Sequence, residues 1–485
     1  MTTEPTTEPT PRPTTAPTGD QTAAGERPGI LPGEHLAALR GRVRGAVSLP
    51  GDPDWDDQRR AWQLLVDQQP AAIVVAADAD DVAQTVLAAR RLGLAVAPQS
   101  TGHAAGAIPG LADTILLRTS QLREIEVDPG DEPGSARLRV GAGVIWADAV
   151  AAAGAHGLAA LAGMAPSVGV AGYTLGGGLG WLSRSHGLAS GSIVAIDAVD
   201  ARGRAIRIDA DHHPDLFWAA RGGIAPVVVT ALELRLYPIA QLWAGALMWP
   251  LDRAADVAHT WREWVQTVPD SVTSLARVLR YPPIPEIPEF LRGRAFVAVE
   301  AAIQADADTA AALLQPLRAL APEIDSVRPM APAELAGVHG DPVDPVPAYG
   351  EAIVLSEISP RSIDALLDAA LAPEAGALLS IEVRQLGGML TPGRVTGGAV
   401  SGIDGAGLVY AVGVVPFPDA LEPVRDAAAH IMTGVRPYAA PGLVKNFTEV
   451  PAPASALFGP AVERLREVVG AWDPERIIRT GHPLD

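Results

Sequence analysis

The stretch SVGVAGYTLGGGLGWLSRSHG, residues 167–187, decides the interpretation of this chain, because seven of its 21 residues are glycine. Glycine reaches positive φ and lets another group approach the backbone, and each one costs about 0.5–1 kcal/mol of extra chain entropy on ordering. In an apolar, structured region, such a cluster favours a backbone packed against a ligand over a tight turn between core strands. We therefore interpret residues 167–187 as a binding loop.

The glycine pattern does not match the two common nucleotide-binding motifs. A P-loop requires G-x-x-x-x-G-K-[ST], and the only lysine of the chain is the distant Lys445. A dinucleotide-binding G-x-G-x-x-G lies between a strand and a helix, whereas the WLSRSHG after the glycines is a poor crossover helix. The sequence therefore indicates a nucleotide cofactor site of another kind.

Composition and charge narrow the class of protein. The 485 residues are 48% hydrophobic and 19% charged, which is typical of a globular chain with two or more domains. The net charge of −19 argues against a nucleic-acid partner, and no apolar run is long enough to predict a membrane span. The absence of cysteine excludes disulfides and thiolate nucleophiles, and we expect no metal site.

The N-terminal residues 1–34 are rich in Thr, Pro and Glu and predict a disordered tail. They lack the basic and apolar regions of a signal peptide, so we expect a cytoplasmic protein.

A regular pattern begins after Pro70. It predicts a strand at residues 71–77, a helix from the N-cap Asp78 to Gly93, and a strand at 94–98. The polar loop QSTGHAAG, residues 99–106, leaves this second strand, and such loops often carry chemistry. Further strands and a hairpin with its turn at 201–203 follow.

The alternation of elements predicts the domain organisation. A sheet-rich α+β domain is expected over residues 35–240, and a second domain over 241–440. In the second domain, long strands are expected to form one antiparallel sheet with helices on one face. Residues 441–485 contain an amphipathic helix and form a closing segment.

Four motifs in order resemble one known family. They are QSTGHAAG (99–106), APSVGVAGYTLGGGLGWLSRSHGL (165–188), HHPDLFWAARGG (212–223) and DPERIIRTGHPL (473–484). Together they resemble the flavoprotein oxidases of the vanillyl-alcohol oxidase superfamily, specifically the berberine-bridge-enzyme-like branch. The resemblance implies a two-part PCMH-type FAD-binding domain, to which the C-terminal segment returns, and a substrate domain over the flavin ring.

The resemblance also implies cofactor-binding residues. His103 occupies the position of the family's flavin-attaching histidine, and Asn446 that of the asparagine facing the flavin. Val199 would lie along the adenine, and Tyr173 would flank the flavin. The complete implied set is Gln99, Ser100, Thr101, Gly102, His103, Ala104, Gly163, Val168, Gly169, Gly172, Tyr173, Gly176, Gly177, Gly178, Val199 and Asn446.

This chain departs from the family pattern at three places. Ala165 stands where many members have a second attaching residue, a cysteine, so a single covalent link at His103 is expected. The segment RGGIAPVVVT, residues 221–230, is one residue shorter than the usual RGGGGNFGVVT, and Pro226 removes a backbone donor. Val444 stands where the family has a catalytic tyrosine.

Candidate catalytic residues come from the predicted substrate domain. Glu382, Arg384 and Gln385 lie on a predicted strand over the flavin, and Tyr410 is expected on the substrate side. The alternative for the three strand residues is a solvated or salt-bridged face. If residues 444–446 form a strand, Val444 and Asn446 share a face and Lys445 points away.

Two functions from different classes are consistent with these residues. The first is an FAD-dependent oxidase that transfers a hydride from a small molecule, such as a secondary metabolite, to the flavin, with O2 as the final oxidant. The second is a non-redox cyclase or pericyclase, with FAD structural or lost, which the missing tyrosine and the altered 221–230 segment favour. A binding or scaffolding protein is a third interpretation. His103 and the glycine loop favour the presence of FAD, and of these functions we prefer the oxidase.

Overall fold

The computed structural model describes residues 36–395 and 397–484. The predicted tail, residues 1–34, lies outside this part of the chain. The described strands form sheets of four, five and eight strands. In chain order they are β1 (Ala46–Ser48), β2 (Ala72–Val75), β3 (Ala95–Gln99), β4 (Thr114–Arg118), β5 (Ile125–Asp128), β6 (Arg137–Gly141), β7 (Ile193–Asp200), β8 (Ala205–Ile208), β9 (Val227–Arg235), β10 (Leu242–Pro250), β11 (Val272–Arg280), β12 (Ala295–Ile303), β13 (Ile324–Asp325), β14 (Arg328–Met330), β15 (Ala348–Leu355), β16 (Ser380–Gln385) and β17 (Gly407–Val414).

The two helices of the glycine-rich region have only six and four residues, whereas the longest described helix, in the C-terminal half, has 15. In chain order the described α-helices are α1 (Trp55–Gln58), α2 (Ala79–Leu92), α3 (Trp146–Gly154), α4 (Val170–Leu175), α5 (Ser183–His186), α6 (Pro214–Ala220), α7 (Ala254–Trp264), α8 (Ala307–Arg318), α9 (Ala336–His339), α10 (Pro360–Leu371), α11 (Leu421–Val435), α12 (Ala454–Phe458) and α13 (Val462–Trp472). None of these helices has the length and apolar character needed to cross a membrane.

The four-stranded sheet has the order β1-β2-β4-β3, with β2, β4 and β3 parallel. Helix α2 connects β2 to β3. The Asp78 carboxylate caps it by accepting from the Asp81 backbone N–H at 3.0 Å, and Gly93 ends it at φ +65. The predicted strand–helix–strand unit is confirmed, because an N-terminal Asp and a C-terminal Gly satisfy helix ends locally. Strand β3 delivers the chain into the loop 99–106.

The five-stranded sheet is antiparallel, in the order β5-β6-β9-β7-β8. The predicted hairpin is confirmed as β7–β8, and the Asp200 carboxylate accepts from the backbone N–H groups of Arg202 and Arg204 at 2.9 Å each. Strand β5 is not among the strands predicted from the sequence: Ile125–Asp128 does alternate apolar and charged residues, but the run is only four residues long and lies at the edge of the sheet.

The eight-stranded sheet is antiparallel and follows the order β13-β10-β12-β11-β16-β17-β15, with β14 also paired to β10. Helices α7, α8, α10 and α11 cover one face through an apolar core that includes Trp261, Ile363 and Ile431. The prediction of an antiparallel sheet with helices on one face is confirmed. The opposite face, called here the inner face, packs towards the glycine-rich loop, residues 167–187, through residues such as Leu275.

The C-terminal segment returns to the first sheets. Helix α13 buries Val462, Leu465 and Val469 in the same core as the five-stranded sheet. Beyond it, the backbone of Ile478 forms a parallel bridge with Val96 on β3. This return brings distant residues to the glycine-rich loop.

The strand assumed for residues 444–446 is wrong. The segment Lys445–Phe447 forms a single 3-10 turn, and Val444 precedes it. Asn446 and Lys445 nevertheless point in different directions, because successive side chains diverge around such a tight turn as well.

Candidate active site

The glycine-rich loop wraps around one aromatic ring. Helix α4 starts after Gly169, and the backbone then turns through Gly177 at φ +116 and Gly178 at φ +80. A Cβ on Gly178 would lie 2.6 Å from a Tyr173 ring carbon, and one on Gly163 would lie 2.8 Å from the other edge of that ring. Tyr173 is therefore packed between two glycines, and burial raises the pKa of its hydroxyl well above the usual range.

The glycine-rich loop also meets the loop 99–106. A Cβ on Gly169 would lie 2.8 Å from the Ser100 hydroxyl oxygen, so only glycine permits this approach. Within the described residues, the buried hydroxyls of Ser100 and Thr174 have no hydrogen-bond partner. Gly172, one turn into α4, faces space in which an added Cβ would meet nothing within 4 Å.

These features fit the FAD expected from the sequence. Buried hydroxyls without a protein partner usually bond to another group, because leaving them unpaired costs about 1–3 kcal/mol each. A pyrophosphate is an acceptor for hydroxyl and backbone N–H donors. We assign Ser100 and the backbone of both loops as the groups that would hold it.

His103 is held by three neighbours. Its ring stacks on Trp62 with centroids 4.0 Å apart and planes 15° from parallel. The Thr101 hydroxyl lies 2.8 Å from Nδ1, and the Ser167 hydroxyl lies 3.4 Å from Nε2. Burial lowers the pKa of His103 to about 4, opposed in part by Asp341. The imidazole is thus neutral at pH 7 and has a lone pair available for bonding.

Asn446 joins the C-terminal segment to the glycine-rich loop. Its Oδ1 accepts from the Gly178 backbone N–H at 2.8 Å, and its Nδ2 donates to the Tyr173 carbonyl at 3.1 Å. A Cβ on Gly176 would lie 2.9 Å from the Asn446 amide nitrogen, so that glycine makes room for the contact.

The remaining predicted cofactor residues are less close to this junction. The Gln99 side-chain oxygen accepts from Arg118 at 3.0 Å, and the Val168 carbonyl accepts from the Trp146 backbone N–H at 3.0 Å. Ala104 is exposed. The Val199 side chain is fully buried in an apolar core, and its expected place along the adenine stays a prediction.

The segment 221–226 is bound to the C-terminal residues. Lys445 Nζ donates to the Gly223 carbonyl at 2.7 Å, and the Thr480 hydroxyl donates to the Ala225 carbonyl at 3.1 Å. Burial lowers the pKa of Lys445 to about 8. Lys445 therefore supports this segment and does not join the predicted catalytic residues.

Predicted catalytic residues lie in a row across the inner face of the eight-stranded sheet. Arg277 on β11 pairs with Glu382 on β16, which pairs with Tyr410 on β17. Arg384 Nε donates to Glu382 Oε1 at 2.6 Å, and both side chains are buried. Glu382 and Arg384 thus form a salt bridge, as the alternative to a catalytic role expected, but on a buried face of the sheet and not a solvated one.

A histidine completes this charged row. His339 Nδ1 lies 2.7 Å from Glu300 Oε2, and its Nε2 lies 3.4 Å from Glu382 Oε2. Arg277 forms an ion pair with Glu300. The sequence analysis missed Arg277, Glu300 and His339, since isolated charged residues in apolar strands or a short helix carry no motif.

The charged row contacts the glycine-rich region directly. Arg384 donates to the Met164 sulfur at 2.9 Å, three residues before Ser167, and its guanidinium lies 4.8 Å from the Phe447 ring centroid. The Trp181 ring meets His339 edge-on at 6.5 Å. The glycine-rich region and the inner face of the sheet therefore line the same site.

Gln385 does not belong to this site. Its Nε2 donates to the Val265 carbonyl at 2.9 Å, under the helices on the other face of the sheet. Because side chains alternate along β16, Gln385 points away from Glu382 and Arg384. The prediction that it faces the flavin is wrong.

Tyr410 has a partner that sequence reasoning missed. Its hydroxyl donates to Glu449 Oε1 at 2.8 Å. Burial and the neighbouring Glu449 raise the pKa of Tyr410, and burial raises the pKa of Glu449 to about 7. The only available signal was an acidic residue three positions after Asn446. Val444, by contrast, packs in an apolar cluster with Leu179 and Leu408.

Comparisons with known proteins agree with this geometry. Residues 70–209 match the family described as FAD binding domain. The chain is 36% identical over 209 residues to (R)-6-hydroxynicotine oxidase of Paenarthrobacter nicotinovorans, covering 43% of this chain and 45% of that protein. Other curated relatives are named FAD-linked oxidoreductases and FAD-dependent monooxygenases. The sequence matches span about half the length of these relatives or less.

Solved structures match over nearly the whole chain. The 6-hydroxy-D-nicotine oxidase of Arthrobacter nicotinovorans superposes with a TM-score of 0.79 at 25% identity, covering 91% of this chain and 98% of that chain. BBE-like 1 of Physcomitrella patens superposes with a TM-score of 0.78 at 19% identity, covering 93% and 99%.

Residues 70–209 are therefore an FAD binding domain, and over less than half of its length the chain is similar in sequence to FAD-linked oxidoreductases. More particularly, the chain has the fold of 6-hydroxy-D-nicotine oxidase and of BBE-like 1, and this confirms the fold that the resemblance of its motifs implied.

Proposed function

We propose that this protein is an FAD-dependent oxidase acting on a small molecule, with the substrate held between the glycine-rich loop and the inner face of the eight-stranded sheet. The observation that carries the proposal is the contact of Arg384 with Met164, which joins the charged row to the FAD loop. The FAD would accept a hydride from the substrate, and O2 would reoxidise it.

The residues of the inner face have binding and orienting roles in this proposal. Glu382 and Arg384 are buried and paired, so their polar atoms are held in fixed positions before a substrate arrives. Glu382 Oε2 accepts no hydrogen bond of good geometry within the described residues, although His339 Nε2 lies 3.4 Å away, so it retains capacity to accept one from a substrate. Tyr410 presents a hydroxyl in the same row.

The proposal includes one covalent link between His103 and the flavin. The imidazole is neutral, and stacking on Trp62 limits its rotation. No second link is available from the protein at position 165, which is alanine in a chain without cysteine. A neutral nitrogen adds readily to an electrophilic carbon, which is the chemistry this attachment requires.

The relatives' names indicate the size of the substrate and not its chemical identity. The printed name of (R)-6-hydroxynicotine oxidase indicates a small molecule as that protein's substrate. We extend this to a small secondary metabolite here. The non-redox cyclase is not favoured, because the relatives above are named oxidases, oxidoreductases and monooxygenases.

The experiment is a visible spectrum followed by anaerobic reduction. The purified protein is expected to show flavin absorbance and to retain it after acid precipitation. Adding single members of a panel of secondary alcohols and cyclic amines is expected to bleach the flavin in at least one case, with H2O2 formed when air is admitted. A colourless protein that binds no added FAD would contradict the proposal. So would a protein that converts a panel compound to product without reducing its flavin and without forming H2O2.

A further inference from the structure

Glu449 lies where three parts of the site meet. It follows Asn446, which binds the glycine-rich loop, by three residues. A Cβ on Gly106 would clash with the Glu449 backbone oxygen, so the loop that carries His103 passes directly beside it. Its carboxylate reaches Tyr410 on the sheet.

The contact between Tyr410 and Glu449 requires a specific opening in the sheet. A Cβ on Gly350 of the neighbouring strand β15 would collide with the Tyr410 hydroxyl. The Gly350 backbone N–H also donates to the Glu449 carboxylate. Glycine at this position therefore allows the phenol to lie across β15 and reach the carboxylate.

The partners of Glu449 are neutral, unlike those of the other carboxylates in the site. The hydrogen-bond donors to Glu449 are the Tyr410 hydroxyl and the Gly350 backbone. Glu382 is paired with Arg384, and Glu300 with Arg277 and His339. A carboxylate paired with a guanidinium is a weak base, whereas one held by neutral donors takes up a proton more easily.

We propose that Tyr410 and Glu449 are the proton-accepting pair of the substrate site: the Tyr410 oxygen takes a proton from the substrate and passes its own to Glu449. This inference rests on the proposed oxidase function. It assigns the acid–base role to a pair on the sheet in place of position 444, where valine has no titratable group.

The step balances for an alcohol or an amine. The substrate O–H or N–H bond breaks, and its proton goes to the Tyr410 oxygen as the Tyr410 proton goes to Glu449 Oε1. The substrate C–H bond breaks with its electron pair, and a bound FAD would be the oxidant that takes this hydride, leaving a C=O or C=N product. Glu449 is half-buried, so it returns its proton to solvent in a later step.

The chain contains a matched control pair. The Tyr349 hydroxyl donates to Glu351 Oε1 at 2.6 Å, on the same strand as Gly350. Because side chains alternate along a strand, this pair lies on the helix-covered face, where Arg425 of α11 lies 5.4 Å from the Tyr349 ring centroid. It has the same chemistry as Tyr410–Glu449 without access to the substrate site.

The test compares Glu449→Gln with Glu351→Gln in the flavin-loaded protein, using a panel compound that reduces the wild-type flavin. General-base catalysis contributes about 10²–10⁴-fold, so we expect Glu449→Gln to slow anaerobic flavin reduction by at least about 100-fold. FAD content and Tm are expected to stay close to wild type, Glu449→Asp to recover part of the rate, and Glu351→Gln to reduce the flavin normally. A Glu449→Gln reduction rate within about threefold of wild type, with an unchanged pH profile, would overturn the pair.

A second measurement separates this inference from the oxidase proposal. Infrared difference spectra between wild type and Glu449→Gln report protonation of this one carboxyl without any substrate. We expect its protonated C=O band to disappear as the pH rises through neutrality, and to shift in Tyr410→Phe. If no compound reduces the wild-type flavin, the oxidase proposal fails. If the band is absent at neutral and mildly acidic pH, the pair fails whatever the flavin does.

Discussion

Asn446 accepts a hydrogen bond from the backbone N–H of Gly178 at 2.8 Å, joining two residues that are 268 positions apart. It is the only asparagine in the chain. The contact closes the FAD loop against the C-terminal segment, so the cofactor site depends on both ends of the fold.

Replacing Asn446 with Ala is expected to lower stability and FAD retention together. The Gly178 N–H and the Tyr173 carbonyl would both lose their partner, at a cost of about 1–3 kcal/mol for each buried group. Urea unfolding and flavin release on dilution measure the two effects. Asn446→Asp is the control, since it keeps the acceptor for Gly178 and loses the donor to Tyr173, so a loss equal to that of Ala would contradict this account.

Gly178→Ala and Gly172→Ala are expected to have opposite effects on the protein without flavin. At Gly178 the Cβ meets Tyr173 and Ala189 at 2.6 Å with φ at +80, so we expect a loss of more than about 2 kcal/mol. At Gly172 the Cβ meets nothing, and alanine stabilises a helix by about 0.5–1 kcal/mol relative to glycine. Equal destabilisation by the two changes would show that the clash with Tyr173 does not cause the loss of stability in Gly178→Ala.

Trp62→Ala is expected to slow attachment of the flavin to His103. An aromatic stack is worth about 0.5–1.5 kcal/mol, so attachment should slow by about 2–10-fold, and Trp62→Phe should keep most of the rate. The readout is flavin fluorescence of the denatured protein on a gel against time after adding FAD, with His103→Ala as the blank. With a His103 pKa of about 4, the rate is expected to be the same at pH 6 and pH 8. Attachment in Trp62→Ala at the wild-type rate would rule out a positioning role for the stack.

The pH dependence of flavin reduction is expected to follow Glu449. Only its carboxylate accepts a proton, and a pKa near 7 means that the ionised fraction rises from about a tenth at pH 6 to about nine tenths at pH 8. The rate constant should therefore rise with pH across this window. The charged groups that act on Tyr410 besides Glu449 are Asp341 and Glu382, and Tyr349, on the other face of β15, is still close enough to interact electrostatically with Glu449. A flat profile in wild type, or the same rise in Glu449→Gln, would assign the titration elsewhere.

Lys445→Met is expected to change how stability depends on pH. Burial lowers the pKa of Lys445 from 10.5 to about 8, so the folded state releases its proton before the unfolded state does. Wild-type stability should therefore rise, relative to Lys445→Met, by up to about 3 kcal/mol between pH 8 and 10.5. Urea unfolding at several pH values in this range measures the difference. Parallel curves for the two proteins would mean that the ammonium is well solvated.

Local residue chemistry was sufficient to predict those elements whose backbone hydrogen bonds are completed by neighbouring residues in the chain. Asp78 and Gly93 mark the ends of α2 because capping and positive φ depend on neighbouring residues alone. The glycine-rich stretch 167–187 indicated a ligand-binding loop for a similar reason, since its glycines are close together in the chain, whereas FAD itself was implied by the resemblance of the four motifs to a known family. The long strands of the substrate domain were predicted from their runs of apolar residues.

The acid–base part of the site could not be read from the chain. Glu382 and Gln385 are three residues apart on one strand, yet the sheet places them on opposite faces, because side chains alternate with a period of two. The sequence did not show which face meets the FAD loop, since that depends on the helices packing on the other side.

By itself, the sequence determined that the chain has a glycine-rich stretch suited to a ligand, no cysteine for a second flavin link and no tyrosine at position 444. Only the tertiary structure decided which distant residues lie beside that stretch. The contacts Asn446–Gly178, Arg384–Met164 and Tyr410–Glu449 join segments that are distant in the chain. Their geometry comes from the packing of the sheet against the FAD loop, which no local pattern of residues encodes.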